Sequence, residues 1–210
     1  MGEKMKKCKR LCVATLVLAF CLGGCGQSKL PQVIDRTTIS LSKDGTVRLY
    51  LVDSFDKDYY DLEELTDMVI QEAEEYNSAV LTLQGEDSPV TVQEVGKVTG
   101  RVNLVSVVYD FDSTAIYEDF CKQFFFYGTV GEAGLQNIQF DRPIYSVKDN
   151  TLLDAEQMSA HKEKKVIVTD ARNVIYFPGK VTYVSEGAVY NQDGSVDTTA
   201  TDGLVYIMLK

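Results

Sequence analysis

Between residues 37 and 53 the chain alternates apolar and polar positions on either side of a break. Ile39 and Leu41 form one short alternating run, Asp44-Gly45 interrupts it, and Val47, Leu49 and Leu51 resume it. A period of two marks a strand with one buried face. Asp-Gly between two such runs signals a hairpin, because both residues tolerate positive φ. The period then lengthens. Leu62, Leu65, Val69, Ala73 and Tyr76 recur at helical spacing and predict a helix over residues 61–77. Asp61 is placed to cap it, with Glu64 completing a capping box and Tyr60 facing Leu65 as a hydrophobic staple.

The same sequence of patterns follows again. Residues 89–98 read as a strand, Thr99-Gly100 as a turn, and Val102, Leu104, Ser106 and Val108 as one face of a strand ending near Asp110. A second helix is predicted over 113–124, with Ile116, Tyr117, Phe120 and Phe124 inward. Both halves pass from a strand through Phe-Asp to an acidic helix start. This reads either as a degenerate ββα-ββα repeat or as two uses of one capping chemistry.

Beyond residue 124 the chain is strand-rich. FFFYGTV, residues 144–147, KKVIVTD, NVIYF, KVTYVSE and the terminal GLVYIMLK read as strands, the last as an apolar strand inside a sheet. A short helix is expected near Glu132 and one or two helical turns within residues 154–164. Asp149-Asn150, Pro178-Gly179 (type II) and residues 191–194 read as turns. No Pro-rich or Gly/Ser-rich linker divides the chain. The expected fold class is therefore α+β: antiparallel sheets with two main helices, in one domain over residues 37–210.

The first 36 residues have a different character. Lys4, Lys6, Lys7, Lys9 and Arg10 precede an apolar run over residues 11–22. A membrane-spanning helix needs roughly 20 apolar residues, so this run is too short. Basic flank, short apolar run and small residues read as a secretory signal peptide over residues 1–24. Its ending, Leu22-Gly23-Gly24-Cys25, resembles the lipobox of bacterial lipoproteins. That resemblance implies a diacylglyceryl group on Cys25, cleavage before it, and a fatty-acylated (palmitate-type) anchor at the outer face of the cell membrane. Two acyl chains hold a protein firmly where one binds marginally. Residues 25–36 then read as a flexible tether, reaching no more than ~35 Å.

Removal of the leader takes five basic residues and one acid from totals of 21 and 31, leaving 16 basic and 30 acidic residues, a net charge of −14. Such a surface is repelled by nucleic acid and by anionic headgroups. Of the five cysteines, Cys8, Cys12 and Cys21 leave with the leader and Cys25 is the acylation candidate. Cys121 remains as a lone thiol, so no internal disulfide is expected.

Candidate chemistry is sparse. His161 is the sole histidine and no His or Cys cluster exists, so zinc and other nitrogen- or sulfur-loving metals are not expected. Asp53, Asp56, Asp58 and Asp61 crowd one loop, and Asp193, Asp197 and Asp202 another. Both offer oxygen ligands to calcium or a small cationic ligand, although neither follows the EF-hand pattern. Helix capping and turn chemistry explain the same residues. Cys121 with His161 is a nucleophile–base pair that the fold could bring together, since sequence distance does not forbid contact. Gly128, Gly131 and Gly134 read as loop punctuation, and residues 124–127 as a buried aromatic run. The stretch YEDFCKQFFFYGTVGEA, with the terminal GKVTYVSEG and GLVYIMLK, is similar to small lipoproteins of Gram-positive bacteria with no assigned biochemical role. That similarity spans about half the mature chain and carries over no catalytic or binding residue.

The functional expectation is a membrane-anchored extracytoplasmic lipoprotein with a non-enzymatic binding role at the cell envelope. Its partners would be the membrane, through the N-terminal lipid, and an envelope protein or cationic ligand, but not nucleic acid. The alternatives are an acidic-loop module for calcium or a small cation, and a cell-envelope hydrolase.

Overall fold

The computed structural model describes residues 29–84 and 88–210. The leader, Cys25 and the first residues of the tether lie outside the described residues. Asp44-Gly45 closes a hairpin between β1 (Thr38–Leu41) and β2 (Val47–Ser54). The loop is wider than a two-residue turn, because Gly45 N–H donates to the Ser42 carbonyl and Ser42 N–H to that of Thr46. Gly45 alone takes positive φ, at 92°. Asp44 contributes through its carboxylate, which accepts from the Thr46 N–H and hydroxyl.

Helix α1 (Leu62–Gln84) is longer than the periodicity predicts. Asn77, on its buried side, explains why it continues past Tyr76. The Asn77 amide donates to the Val90 carbonyl (2.7 Å) and accepts the Val90 N–H (3.0 Å), fastening the helix to the start of β3 (Val90–Lys97). Gly100 turns the chain with φ 72° into β4 (Leu104–Phe111). Here the expected face is reversed. Val105, Val107, Tyr109 and Phe111 enter the core, while Val102 lies outside the strand and is mostly exposed. Helix α2 (Thr114–Cys121) stops three residues early because Lys122 turns left-handed (φ 55°). Phe124 is thereby released from the helix.

The element order is thus ββα-ββα, and the two hairpins meet through their second strands, in the order β1-β2-β4-β3. Three later strands extend this sheet to seven: β9 (Val174–Tyr176), β11 (Val189–Tyr190) and β12 (Val196–Asp197), with β9 parallel to β1.

The second, six-stranded sheet runs β5 (Phe125–Thr129), β8 (Lys165–Thr169), β13 (Val205–Leu209), β10 (Val181–Ser185), β6 (Ile144–Ser146) and β7 (Leu152–Leu153). The terminal strand therefore lies inside the sheet. Pro178-Gly179 does not close a hairpin within one sheet. With Gly179 at φ 110° it carries the chain from β9 in one sheet to β10 in the other. Helix α3 (Val130–Leu135) begins at Val130, because Thr129 caps it and Glu132 is the third residue of the capping box. Helix α4 (Ala155–Ala160) is capped likewise by Asp154 and Gln157.

One buried cluster joins the facing sides of the two sheets with α1 and α2: Ile39, Leu49, Val107 and Phe111 from one sheet meet Phe125, Ile167, Ile207 and Leu209 from the other. A second cluster covers the opposite face of the six-stranded sheet, where Phe126, Val168, Tyr206 and Met208 meet Val130 and Ala133 of α3 and Met158 of α4. The order of layers is seven-stranded sheet, core, six-stranded sheet, outer core, short helices. This is an α+β fold with a strand-rich C-terminal half. No described helix is long and apolar enough to cross a membrane.

Candidate functional site

The two acidic loops that look alike in sequence are built differently. In the C-terminal loop each acid is consumed locally. Asp193 accepts from the Ser195 N–H (3.0 Å) and hydroxyl (2.6 Å) and from the Tyr176 phenol (2.8 Å). Asp197 accepts from Thr199 and pairs with Arg36 at 2.8 Å. Asp202 pairs with Arg142 at 3.1 Å. Burial raises the affinity of Asp193 for its proton, but the Ser195 and Tyr176 donors outweigh it and hold the carboxyl below its ordinary value.

In the N-terminal loop, Asp61 Oδ1 caps α1 by accepting from the Glu63 and Glu64 N–H groups (2.7 and 3.1 Å), Asp53 accepts the Ser54 N–H, and Asp56 pairs with Lys57. These bonds leave a concave space beside the loop. A recess of about 410 Å³ opens there, with Phe55, Tyr59 and Tyr60 from the loop, Leu65 and Met68 from α1, and Val105 from β4 as its walls. Asp53, Asp61 and Glu64 also line it. Asp58 is exposed and does not line it.

Local bonds place the rings. Phe55 N–H donates to the Asn103 carbonyl at 2.7 Å and Tyr60 N–H to that of Lys57 at 3.1 Å, which bends the loop over the ends of β2 and β4. Phe55 and Tyr60 lie 5.1 Å apart, and Tyr59 meets Tyr60 edge-to-face at 5.0 Å. The Lys97 ammonium stands 5.7 Å from the centre of the Phe55 ring. The Tyr60 phenol is held above its ordinary value by Tyr59 first, then by burial and by the Asp56 and Asp53 carboxylates. Tyr59 is 77 % exposed, although its edge meets the Tyr60 ring. The sequence marks the four aspartates of this loop, and Tyr60 with Leu65 as a staple, but not the rings as walls of a recess; the Tyr59-Tyr60 pair among those acids is the available signal.

Among the described residues no group of three or more His, Cys, Asp or Glu side chains is placed to hold a metal ion. Cys121 and His161 do not meet. Cys121 packs against the core between the sheets, where burial pushes its thiol up to about 12. His161 follows α4, which covers the far face of the six-stranded sheet. The run 124–127 is structural, since Phe125 and Phe126 are buried in opposite cores. Gly128 is no loop residue either. It lies in β5, and a Cβ there would come within 2.5 Å of the Phe126 ring. A larger groove, of about 750 Å³, runs beside α3. The Glu132 carboxylate on its wall is already committed to the Thr129 N–H and to Lys165.

Comparison with protein-family models, with curated proteins and with solved structures found no match to this chain.

Proposed function

We propose that this chain is an extracytoplasmic lipoprotein, anchored in the cell membrane by a diacylglyceryl group on Cys25, that binds a small organic cation in the recess beside Tyr59. The recess carries the binding half of this reading. Its volume falls within the roughly 300–1,000 Å³ of ordinary ligand sites. Ring faces attract cations electrostatically, and Phe55 already faces one. Asp53, Asp61 and Glu64 add negative charge around apolar walls. Calcium needs six to eight oxygen ligands, and the loop's acids are turned to the helix end, to Ser54 and to Lys57. An alkylammonium ion, with methyl groups for the rings and a diffuse charge for the carboxylates, matches the recess better than a bare ion. The anchor half rests on the basic flank, short apolar run and Leu-Gly-Gly-Cys ending. The separation of Cys121 from His161 favours binding over hydrolysis.

The test is titration with tetramethylammonium, followed by heat release and by backbone amide shifts. Shifts centred on Phe55, Tyr59, Tyr60, Asp61 and Val105, weakening with added salt, are expected. Shifts scattered over the acidic surface, or no heat at tens of millimolar ligand, would refute the binding half. Mass spectrometry of the protein from a lipoprotein-processing bacterium tests the anchor: two acyl chains on Cys25 as first residue are expected.

A further inference from the structure

The tether is not free along its whole length. Residues 30–34 lie back over the outer face of the seven-stranded sheet, the face turned away from the core. Leu30 lines two shallow grooves there, of about 390 and 320 Å³, and Tyr50 of β2 forms part of both walls. Val108 is only 7 % exposed although its side chain lies outside the core cluster, because the same segment covers it. Asp35 is held by Arg101 at 3.0 Å and Arg36 by Asp197 at 2.8 Å. The Thr37 hydroxyl donates to the Val52 carbonyl and accepts the Val52 N–H, both at 3.1 Å. Single exposed ion pairs are worth little. Here two of them and a hydroxyl bridge lead directly into β1, an interior strand, so the direction of the chain is set by the sheet itself.

We infer that this strap fixes the orientation of the domain, with the outer face of the seven-stranded sheet turned to the lipid surface and the α3–α4 layer turned away. The inference rests on acylation of Cys25. Five residue steps separate Cys25 from Leu30, a reach of at most about 18 Å. Leu30, packed on the sheet, therefore cannot stand farther than that from the acylated residue. The α3 layer lies roughly 20 Å beyond, since stacked sheets and a helix layer each add ~10 Å. Charge permits the approach. In a chain of net negative charge, this face brings its arginines paired with acids: Arg48 with Asp110, Arg101 with Asp35, Arg36 with Asp197. Leu30 and Val33 of the strap keep 38 % and 41 % of their surface exposed, which suits contact with headgroups.

The chain has no tryptophan, so a single introduced one reports its own position. Tyr50→Trp places it on the outer face and Leu135→Trp on exposed α3. Each acylated protein is reconstituted in phosphatidylcholine vesicles carrying a dansyl-labelled headgroup, and energy transfer is measured. Several-fold greater transfer from Tyr50→Trp is expected. Adding Arg36→Ala and Arg101→Ala should narrow that difference, because the strap then peels away. Equal transfer from both positions, or greater transfer from Leu135→Trp, overturns the orientation while leaving the anchor intact. Absence of acyl mass on Cys25 removes the anchor, and this inference with it; circular dichroism on each variant identifies any that fails to fold.

Discussion

The six-stranded sheet is buried on both faces, and the seven-stranded sheet on one. In β8 and β13 nearly every side chain is enclosed, alternate residues going to the inner and outer cores. In β2, Val47 and Leu49 are buried while Arg48 stays exposed and Leu51, at the far end, is 42 % exposed. The doubly covered sheet has the other sheet against one face and the short helices against the other. The singly covered one has an outer face, occupied by the strap, and an end, occupied by the recess. The recess and the strap, the two features on which the proposals above rest, both lie on the sheet that burial leaves unfinished.

The sharpest way to break this contrast is to cut the same amount of side chain from each sheet. Met208→Ala, at a buried position of β13 that faces the outer core, should cost about 2–5 kcal/mol through lost transfer energy and a cavity. Leu51→Ala in β2 should cost no more than about 1 kcal/mol. Urea unfolding of both variants measures the difference. Comparable losses would mean that the outer core adds nothing to the second sheet.

Gly128→Ala tests the double covering from its other side. The new methyl would meet the Phe126 ring at 2.5 Å and the Glu132 carboxylate at 2.9 Å. Overpacking of this kind costs about 1–3 kcal/mol. The loss should shrink when Phe126→Leu is made first, and additive losses in that double-mutant cycle would show the ring is not the obstacle.

The contrast between the sheets was partly legible in the chain. Alternation in TISL and VRLYLV marks one buried face, and the unbroken runs KVIVT and VYIML mark two. What could not be read was the face of β4, where Leu104, Ser106 and Val108 alternate as well as Val105, Val107 and Tyr109 do. Only the pairing with β2 decides between them. The end of α2 was hidden for a related reason: Phe124 fits a helical stripe, and nothing local announces that Lys122 turns left-handed. In the candidate site, the acids were legible as residues, but their separation into satisfied turns and a recess depends on which neighbours the fold supplies.

The satisfied loop gives a pH-dependent prediction. Asp193 has a folded-state pKa below its ordinary 3.8. A depressed carboxyl stabilises the fold above the unfolded value, and that contribution is lost as pH falls through the folded one. Asp193→Ala should therefore cost about 1 kcal/mol at neutral pH, from lost hydrogen bonds to Ser195 and Tyr176. The gap between variant and parent should close as pH drops below about 3.8, which urea midpoints across pH 7 to 2.5 would follow. A gap independent of pH would assign the loss to loop geometry instead of to the charge.

The recess should behave in the opposite way, and there the smallest effect on stability is expected. Tyr59 is almost free of packing, so Tyr59→Ala should change unfolding by no more than about 0.5 kcal/mol. Yet the ring is one wall of the proposed cation site, and losing a ring–cation contact worth about 0.5–1 kcal/mol should weaken tetramethylammonium binding roughly two- to fivefold. Asp202→Asn removes a carboxylate from the other loop and is the control for net charge, which Tyr59→Ala leaves unchanged. If Asp202→Asn weakens binding and Tyr59→Ala does not, the ligand responds to net charge alone. If only Tyr59→Ala does, the exposed ring is there for the ligand, because its packing gives the fold no reason to keep it.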